Sequence, residues 1–398
     1  MAMQIIAPNE TIDFKENQRL LNRYRFIEHA LVRALAGWLP ATPAMEIKLT
    51  LGRLLWEDAQ HVQQLYLRLR EVQRPAFRAP EDDALEHLMA ELLHAPDAAS
   101  FLAGVFHVVK PSLVAAYERH LAETFANPDA PTRYYLSHTL LDEREQQRWA
   151  AQQLSATADG SWLEYVRALL AAAGGADGHG ARGPAPAAPA CRRTFTAPRE
   201  AARDGRFSTD MSRIQRPAAD DRAGQRFDEF RNYAQEVLAA ETCALVLFLT
   251  PDMPWEFTYD LARHCYDETR HCWLGIEWLA RHGYDYTTFP QNVRVYAWRS
   301  QYDPVMQYAL LTMGNESHVF EFRRGRKREY QALGDRLSEQ FVSYDMADER
   351  QHVAFGHKWL PELLRHAGDA RPVEAFVDDA VALWQREYVS GAMPVHSA

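Results

Sequence analysis

Apolar residues recur at three- and four-residue intervals along most of the chain, the spacing that lines one face of an α-helix. Residues 25–39 (RFIEHALVRALAGWL), 47–72 (IKLTLGRLLWEDAQHVQQLYLRLREV) and 336–364 (RLSEQFVSYDMADERQHVAFGHKWLPELL) carry the pattern, and strand-like alternation is nearly absent. Breaks fall at 39–44 (LPATPA), 126–132 (ANPDAPT), 250–254 (TPDMP) and 333–335 (LGD). Pro and Gly interrupt the helical pattern at these points, and Asp335 is suited to cap the helix that follows. The pattern predicts an all-α protein.

A chain of 398 residues is long for one core, since a domain takes roughly 150. From Gly174 to about Gln225 the composition shifts to Gly, Ala, Pro and Arg (GGADGHGARGPAPAAPACRRTF and onward), which reads as a linker or an irregular wrapping segment. Each flank holds enough sequence for about four helices. The expected organisation is a helical domain over 1–173, a linker over 174–225 and a second helical domain over 226–398. The two halves also look alike. WEDAQH (Trp56 to His61) parallels YDETRH (Tyr266 to His271), and LLDEREQ (Leu140 to Gln146) parallels MADERQH (Met346 to His352). An internal duplication is expected.

Hydrophobic residues make up 47% and charged residues 25% of the chain, with a net charge of -10. Lys and Arg are scattered rather than striped, which argues against a nucleic-acid partner. The first residues lack a basic region followed by an apolar one, so no secretory signal is expected. The densest apolar run, Cys243 to Leu249, falls far short of the roughly 18 residues of a membrane span. A cytoplasmic protein without membrane association is the expectation. Four cysteines without CxxC pairing read as incidental thiols.

The chemistry-bearing pattern is Glu268-x-x-His271 and Glu349-x-x-His352, each preceded by an Asp, Asp267 and Asp348. Glu and His three positions apart share a helix face, so both can reach one metal ion. A di-metal bundle site uses two such pairs and one further Glu from each of two other helices. Four carboxylates with two imidazoles balance two divalent ions and suit iron or manganese. Asp267 and Asp348 are suited to accept the free N–H of a metal-bound His on the facing helix. For the two single positions, Glu241 and Glu321 lie 27 and 28 residues before their motifs. Glu236 and Glu316, at separations of 32 and 33, are the rivals. Members of each pair stand five residues apart, roughly 140° around a helix, so both cannot easily face one cluster. Glu241 and Glu321 are preferred, with Glu316 the more serious rival. A further ExxH, Glu91 with His94, reads as surface helix. His264 shares the face of Glu268, His318, His357 and Tyr344 are candidate pocket residues, and Arg270 and Arg350 are expected to pair with carboxylates.

The run PDMPWEFTYDLARHCYDETRHCWLGIEWLARHGYDYTTFP, then VFEFRRGR, then GDRLSEQFVSYDMADERQHVAFGHKWL, resembles a bacterial ferritin-like family largely catalogued as a domain of unknown function. The positions that carry the resemblance are Glu241, Met253-Pro254, Asp267 to His271, Gly283 to Pro290, Glu321, and Asp348 to His352 with Gly356 and Trp359. The resemblance covers about residues 235–365. It implies a ferritin-like fold and a di-metal site, favours Glu321 over Glu316, and supplies no reaction. The corresponding N-terminal positions are Glu28, Asp58, His61, Glu118, Glu143 and Gln146, where Gln replaces the second His. That half is expected to have lost its metal and to serve as a packing partner.

These readings lead to a non-haem di-iron (or Fe/Mn) oxygenase or oxidase, with O2 as co-substrate. Its substrate would be a small organic molecule, undergoing hydroxylation, N-oxygenation, desaturation or oxidative cleavage. Glu268 and Glu349 are the expected bridging carboxylates. No flavin, Fe–S or nucleotide-binding motif is evident, so electrons would come from an external donor or from the substrate. A ferroxidase or iron-handling protein, and a non-enzymatic protein with a structural metal site, are the alternatives. Oligomeric state is open, with a homodimer as one option.

Overall fold

The computed structural model describes residues 11–74, 80, 82–154, 157–214, 217–218 and 220–390. The described residues are predominantly helical, and the one pairing of extended backbone among them is an isolated bridge between Ile12 and Thr124. They form two compact units, residues 1–38 with 57–196 and residues 39–56 with 197–398.

The first unit contains α1 (Phe14–Trp38), the second part of α2 (Met45–Glu71), α3 (Asp83–Glu91), α4 (Ala98–Gly104), α5 (Lys110–Glu123), α6 (Ala130–Gln153) and α7 (Gly160–Ala172). A π-helical turn, Val105–Val109, joins α4 to α5. The resulting run, Ala98–Glu123, is 26 residues long, and its most apolar 18 residues have mean hydropathy 1.5, long and apolar enough to cross a membrane. This corrects the expectation that no such run exists. Of its most apolar stretch, 67% is buried within the protein, as in a core helix. Inside the run sits the buried ammonium of Lys110, bonded to two carboxylates.

The second unit takes the first part of α2, then α8 (Arg222–Tyr233), α9 (Val237–Leu249), α10 (Trp255–Arg281), α11 (Arg294–Arg299) and α12 (Pro304–Ala309). A π-helical segment, Leu310–Asn315, and a 3-10 turn, Glu316–His318, lead into α13 (Phe320–Leu333), α14 (Arg336–Ala367) and α15 (Val373–Leu383). Asp335 caps α14 by accepting the Ser338 N–H at 3.2 Å, and Gly368, at φ 69°, ends it. The core here is aromatic. Trp278 of α10 stacks on Phe230 of α8 at 4.5 Å between ring centres and donates its indole N–H to the Ser338 hydroxyl at 2.9 Å. That contact ties α8, α10 and α14 together at one end of the unit.

The stretch expected as a linker is instead tied down in both units. In the first, Arg23 donates to the carbonyls of Ala173, Gly175 and Ala176 at 2.7–2.9 Å, and Arg192 grips Glu91 at 2.6 and 2.7 Å. In the second, the Tyr296 hydroxyl donates to the Pro198 carbonyl at 2.6 Å and Phe207 joins the core. The unit boundaries therefore differ from those expected at 173 and 226. Irregular backbone without a helical ladder needs partners for its polar groups, and Arg23 and Tyr296 supply some of them.

Candidate metal centre

Two long helices form the middle of the second unit's polar cluster. Asp267, Glu268 and His271 project from α10, and Asp348, Glu349 and His352 from α14, all of them buried. His271 Nδ1 lies 3.6 Å from Glu268, and His352 Nδ1 lies 3.3 Å from Glu268 and 3.6 Å from Glu349. Glu268 thus stands between the two imidazoles. On the outer side, His271 Nε2 is 3.3 Å from Asp348 and His352 Nε2 is 3.4 Å from Asp267. Each Asp therefore meets the imidazole of the opposite helix. This contact favours a proton on Nε2 and leaves Nδ1 free to ligate. Arg270 and Arg263 anchor the aspartates, Arg270 at 2.5 Å from Asp267 and 3.1 Å from Asp348, Arg263 at 2.8 Å from Asp267.

The two single carboxylates that join this cluster are Glu236 and Glu316. Glu236 lies between α8 and α9, with its carboxylate 3.3 Å from His271 Nδ1. Glu316 follows the π-helical segment and accepts from His264 at 3.0 Å. A glycine one turn beyond each His makes room for them. A Cβ at Gly275 would stand 2.6 Å from the Phe230 carbonyl, and one at Gly356 would stand 2.6 Å from the Thr312 hydroxyl. Close approach at Gly275 admits the end of α8, which leads into Glu236; at Gly356 it admits the segment that leads into Glu316.

Glu241 and Glu321, the sequence-preferred residues, are not in the cluster. Glu241 is buried elsewhere, ion-paired with Lys48 and with Arg203 at 2.6 Å. Burial opposes its charge, but Arg203 and Lys48 outweigh that and hold its carboxyl below the usual range. Burial in turn pushes Lys48 down to about 8. Glu321 lies in the first turn of α13 with 80% of its side chain exposed, paired with Arg324. The five-residue separation does put the members of each pair on different faces. The inward members are Glu236 and Glu316, because Lys48, on a distant helix, and Arg203, in the irregular stretch, claim Glu241, and Glu321 faces solvent.

Three further residues border the cluster without a motif to flag them all. His264 stacks on His352 at 3.8 Å between ring centres. Asp345, one turn before Glu349, lies 3.7 Å from His271. Arg323 of α13 pairs with Asp345 and reaches Glu236 and Glu349 at 3.4 Å each. Both His264 and Asp345 stand four residues before a motif Glu, a signal the sequence offered. His318, His357, Tyr344 and Arg350 are exposed. Glu91 and His94 belong to a local network with Arg192, Tyr165 and the Phe195 amide.

The electrostatics are those of a site short of positive charge. Burial opposes protonation of His271 and His352, yet their carboxylate neighbours prevail and hold both well above the ordinary histidine value. Burial pushes Glu236 and Glu316 up, while contacts from His264, His271 and His352 overcome burial and hold Glu268 well below the usual range. Six inward atoms have no hydrogen-bond partner: Nδ1 of His271 and His352, and one oxygen each of Glu236, Glu268, Glu316 and Glu349. Buried polar atoms left unpaired are costly. The donor atoms of Glu236, Glu268 and His271 lie within 4.8 Å of one another, as do those of His264, Glu268, Glu316 and His352, and those of His271, Asp345 and Glu349. Two carboxylate/imidazole groups sharing Glu268 fit a pair of oxygen- and nitrogen-preferring divalent ions.

The first unit holds a second buried cluster, Glu28, Asp58, His61 and Glu143. Here a side chain already supplies the cation. Lys110 Nζ donates to Asp58 at 2.9 Å and to Glu143 at 2.5 Å. Gln146 donates to Asp58 at 3.0 Å and Tyr117 to Glu28 at 2.8 Å. Although these three acids and one imidazole are close enough to bind an ion, the ammonium between Asp58 and Glu143 would repel it. Glu118 is exposed and paired with Arg144 at 2.7 Å, outside the cluster.

A family model described as "Protein of unknown function (DUF455)" matches residues 184–393, more than half of the chain. The chain belongs to the DUF455 family. No curated protein and no solved structure matches it. The DUF455 segment contains Glu236, Glu268, His271, Glu316, Glu349 and His352, whereas Glu28, Asp58, His61, Lys110 and Glu143 lie outside it. Within the DUF455 segment, a cavity of about 320 Å³ between α8 and α13 reaches Glu236 and Arg323.

Proposed function

We propose that the second unit is a ferritin-like bundle binding two divalent metal ions, iron or iron with manganese, and acting as an O2-dependent oxidoreductase on a small organic substrate. The observation that carries the reading is the convergence of six unpartnered buried donors from two DExxH helices and two single glutamates. In this assignment Glu236 and His271 would hold one ion and Glu316 and His352 the other, with Glu268 and Glu349 as carboxylates available to both. His264 and Asp345 complete the surround. When bound, a di-iron pair would supply O2 reduction, the step that side chains cannot perform. The chain's own contribution is to hold ligands and protons in place. Asp348 and Asp267 keep a proton on Nε2 of His271 and His352. Burial excludes water, and Arg323 neutralises the carboxylates nearest the cavity. Electrons beyond those of the substrate would come from an external donor.

The first unit is read as a duplicated copy in which a lysine stands for the metal. Lys110 and Glu316 each follow a π-helical turn, and each lies 33 residues before the second motif Glu, Glu143 or Glu349. With Glu28, Asp58, His61, Glu143 and Gln146, Lys110 completes a set that parallels the six residues of the second unit.

Metal analysis of protein purified after growth with iron and manganese tests the reading. Two ions per chain are expected, and Glu349→Ala is expected to lose them. Protein that retains no metal, or loses none in Glu349→Ala, overturns it. If O2 uptake follows only added Fe(II) and no organic molecule is consumed, iron handling replaces oxygenation.

A further inference from the structure

We infer that the cavity between α8 and α13 is a binding site for a small organic acid, whose acidic group is received by Arg323 beside the metal cluster. The inference rests on the di-metal reading above and names the ligand class and the side from which it approaches.

Exposure decides the side. Glu236 keeps 24% of its side chain exposed, against 3% for Glu268, 2% for Glu316 and 4% for Glu349, while His271 and His352 are sealed. A molecule therefore reaches the cluster past Glu236, and the cavity of about 320 Å³ opens there. That volume suits a compound of one small ring or a short chain. Tyr233, Val319 and Phe322 give it apolar walls.

Charge decides the ligand class. Of the acids lining the cavity, Asp228 pairs with Arg231, and Glu229 takes bonds from Arg326 at 2.6 Å and from the Tyr330 hydroxyl at 2.5 Å. Arg326 is further committed to Glu329 at 2.6 Å. Arg323 differs. Its guanidinium is 5.2 Å from the centre of the Tyr233 ring, and one edge pairs with Asp345. The other edge, Nη2, has only long contacts of 3.4 Å to Glu236 and to Glu349, both of them assigned to the metal ions. Once those carboxylates turn to the ions, Nη2 is left as a buried cationic donor at the cavity floor. A carboxylate or another small oxyanion satisfies it, and an ammonium does not. An acid seated there holds its apolar body against Tyr233 and Val319, beside the Glu236 side of the cluster.

The test uses full-length protein loaded with Zn(II), which is redox-inert, and benzoate, benzamide and benzylamine as probes of equal shape and different charge. Metal content is measured first, and binding then by calorimetry. Benzoate is expected to bind at least tenfold more tightly than the other two. Arg323→Lys is expected to bring benzoate down to the benzamide level. Asn232→Trp, which fills the cavity from its exposed rim, is expected to weaken benzoate at least tenfold with both ions retained. Tighter binding of benzylamine, no discrimination among the probes, or unchanged benzoate binding in Asn232→Trp overturns the proposal, also where Arg323→Lys fails to fold. Protein that takes up no metal sinks the di-metal reading and this inference with it. Two-metal protein that fails to discriminate sinks this inference alone.

Discussion

Two buried acidic clusters in one chain solve the same electrostatic problem in different ways. In the first unit, Glu28, Asp58 and Glu143 surround an ammonium, Lys110, which a neighbouring helix delivers at 2.9 and 2.5 Å. In the duplication proposed above, the glutamate Glu316 of the second unit corresponds to that lysine, and a second imidazole, His352, to Gln146. Replacing a cation by an acid leaves the second cluster with more negative charge, while both clusters keep an Nδ1 that nothing bonds. Buried carboxylates need a counter-charge. One cluster contains its own; the other is arranged to receive it from solution. On the proposed pairing two positions, Lys110 against Glu316 and Gln146 against His352, separate a cluster that holds its own cation from one that would take up metal.

The comparison breaks most visibly in metal content. Glu268→Ala is expected to take bound metal from two ions per chain to none, while Glu143→Ala leaves it at two, as read by elemental analysis. Equal loss in both variants would mean that the first cluster also holds metal.

The next effect is on stability. Lys110→Met leaves three buried carboxylates facing one imidazole and should cost about 3–5 kcal/mol in denaturant unfolding at neutral pH. Acid should reduce that cost by protonating the carboxylates. Lys110→Glu combined with Gln146→His should recover stability in added Mn(II) and raise the metal count above two, whereas a count still at two would sink the parallel between the clusters.

Gly275→Ala should cost roughly 1–3 kcal/mol, because the added methyl meets the Phe230 carbonyl. It should also lower metal content by moving Glu236. Leu65→Ala, four residues after His61 as Gly275 is after His271, creates a cavity instead and should leave metal unchanged.

The pH response sharpens the comparison further. Burial pushes Glu143 up to about 8 despite Lys110, since three carboxylates face only Lys110 and a protonated His61. A carboxyl whose folded value exceeds its unfolded value stabilises fully below the unfolded value and loses that contribution as pH rises through the folded one. Stability of the first unit should fall by about 2–3 kcal/mol between pH 6 and 9. Glu143→Gln should flatten the profile, as followed by denaturant midpoints. Smallest of all, Glu321→Gln should change stability by no more than about 0.5 kcal/mol and metal content not at all, because its side chain lies in solvent.

Helical periodicity, the repeated DExxH motif and the capping Asp335 are local features, and they were legible because helix geometry converts three-residue spacing into a shared face. Glu268, His271, Glu349 and His352 could therefore be named from spacing alone, as could the crossing aspartates Asp267 and Asp348. The choice between Glu236 and Glu241, or Glu316 and Glu321, could not. Each choice depends on which way a helix is rotated. That rotation is set by partners far away in sequence: Lys48 and Arg203 at Glu241, the π-helical segment before Glu316, and the glycine contacts at Gly275 and Gly356. Lys110 was overlooked for the same reason, since nothing near it in sequence reveals that it is buried among acids. Local spacing was enough for an all-α fold and for the two helices that carry the paired Glu and His residues. Only the tertiary structure decided which further charges meet them, because a buried charge is placed by whatever neutralises it, and that partner can come from anywhere along the chain.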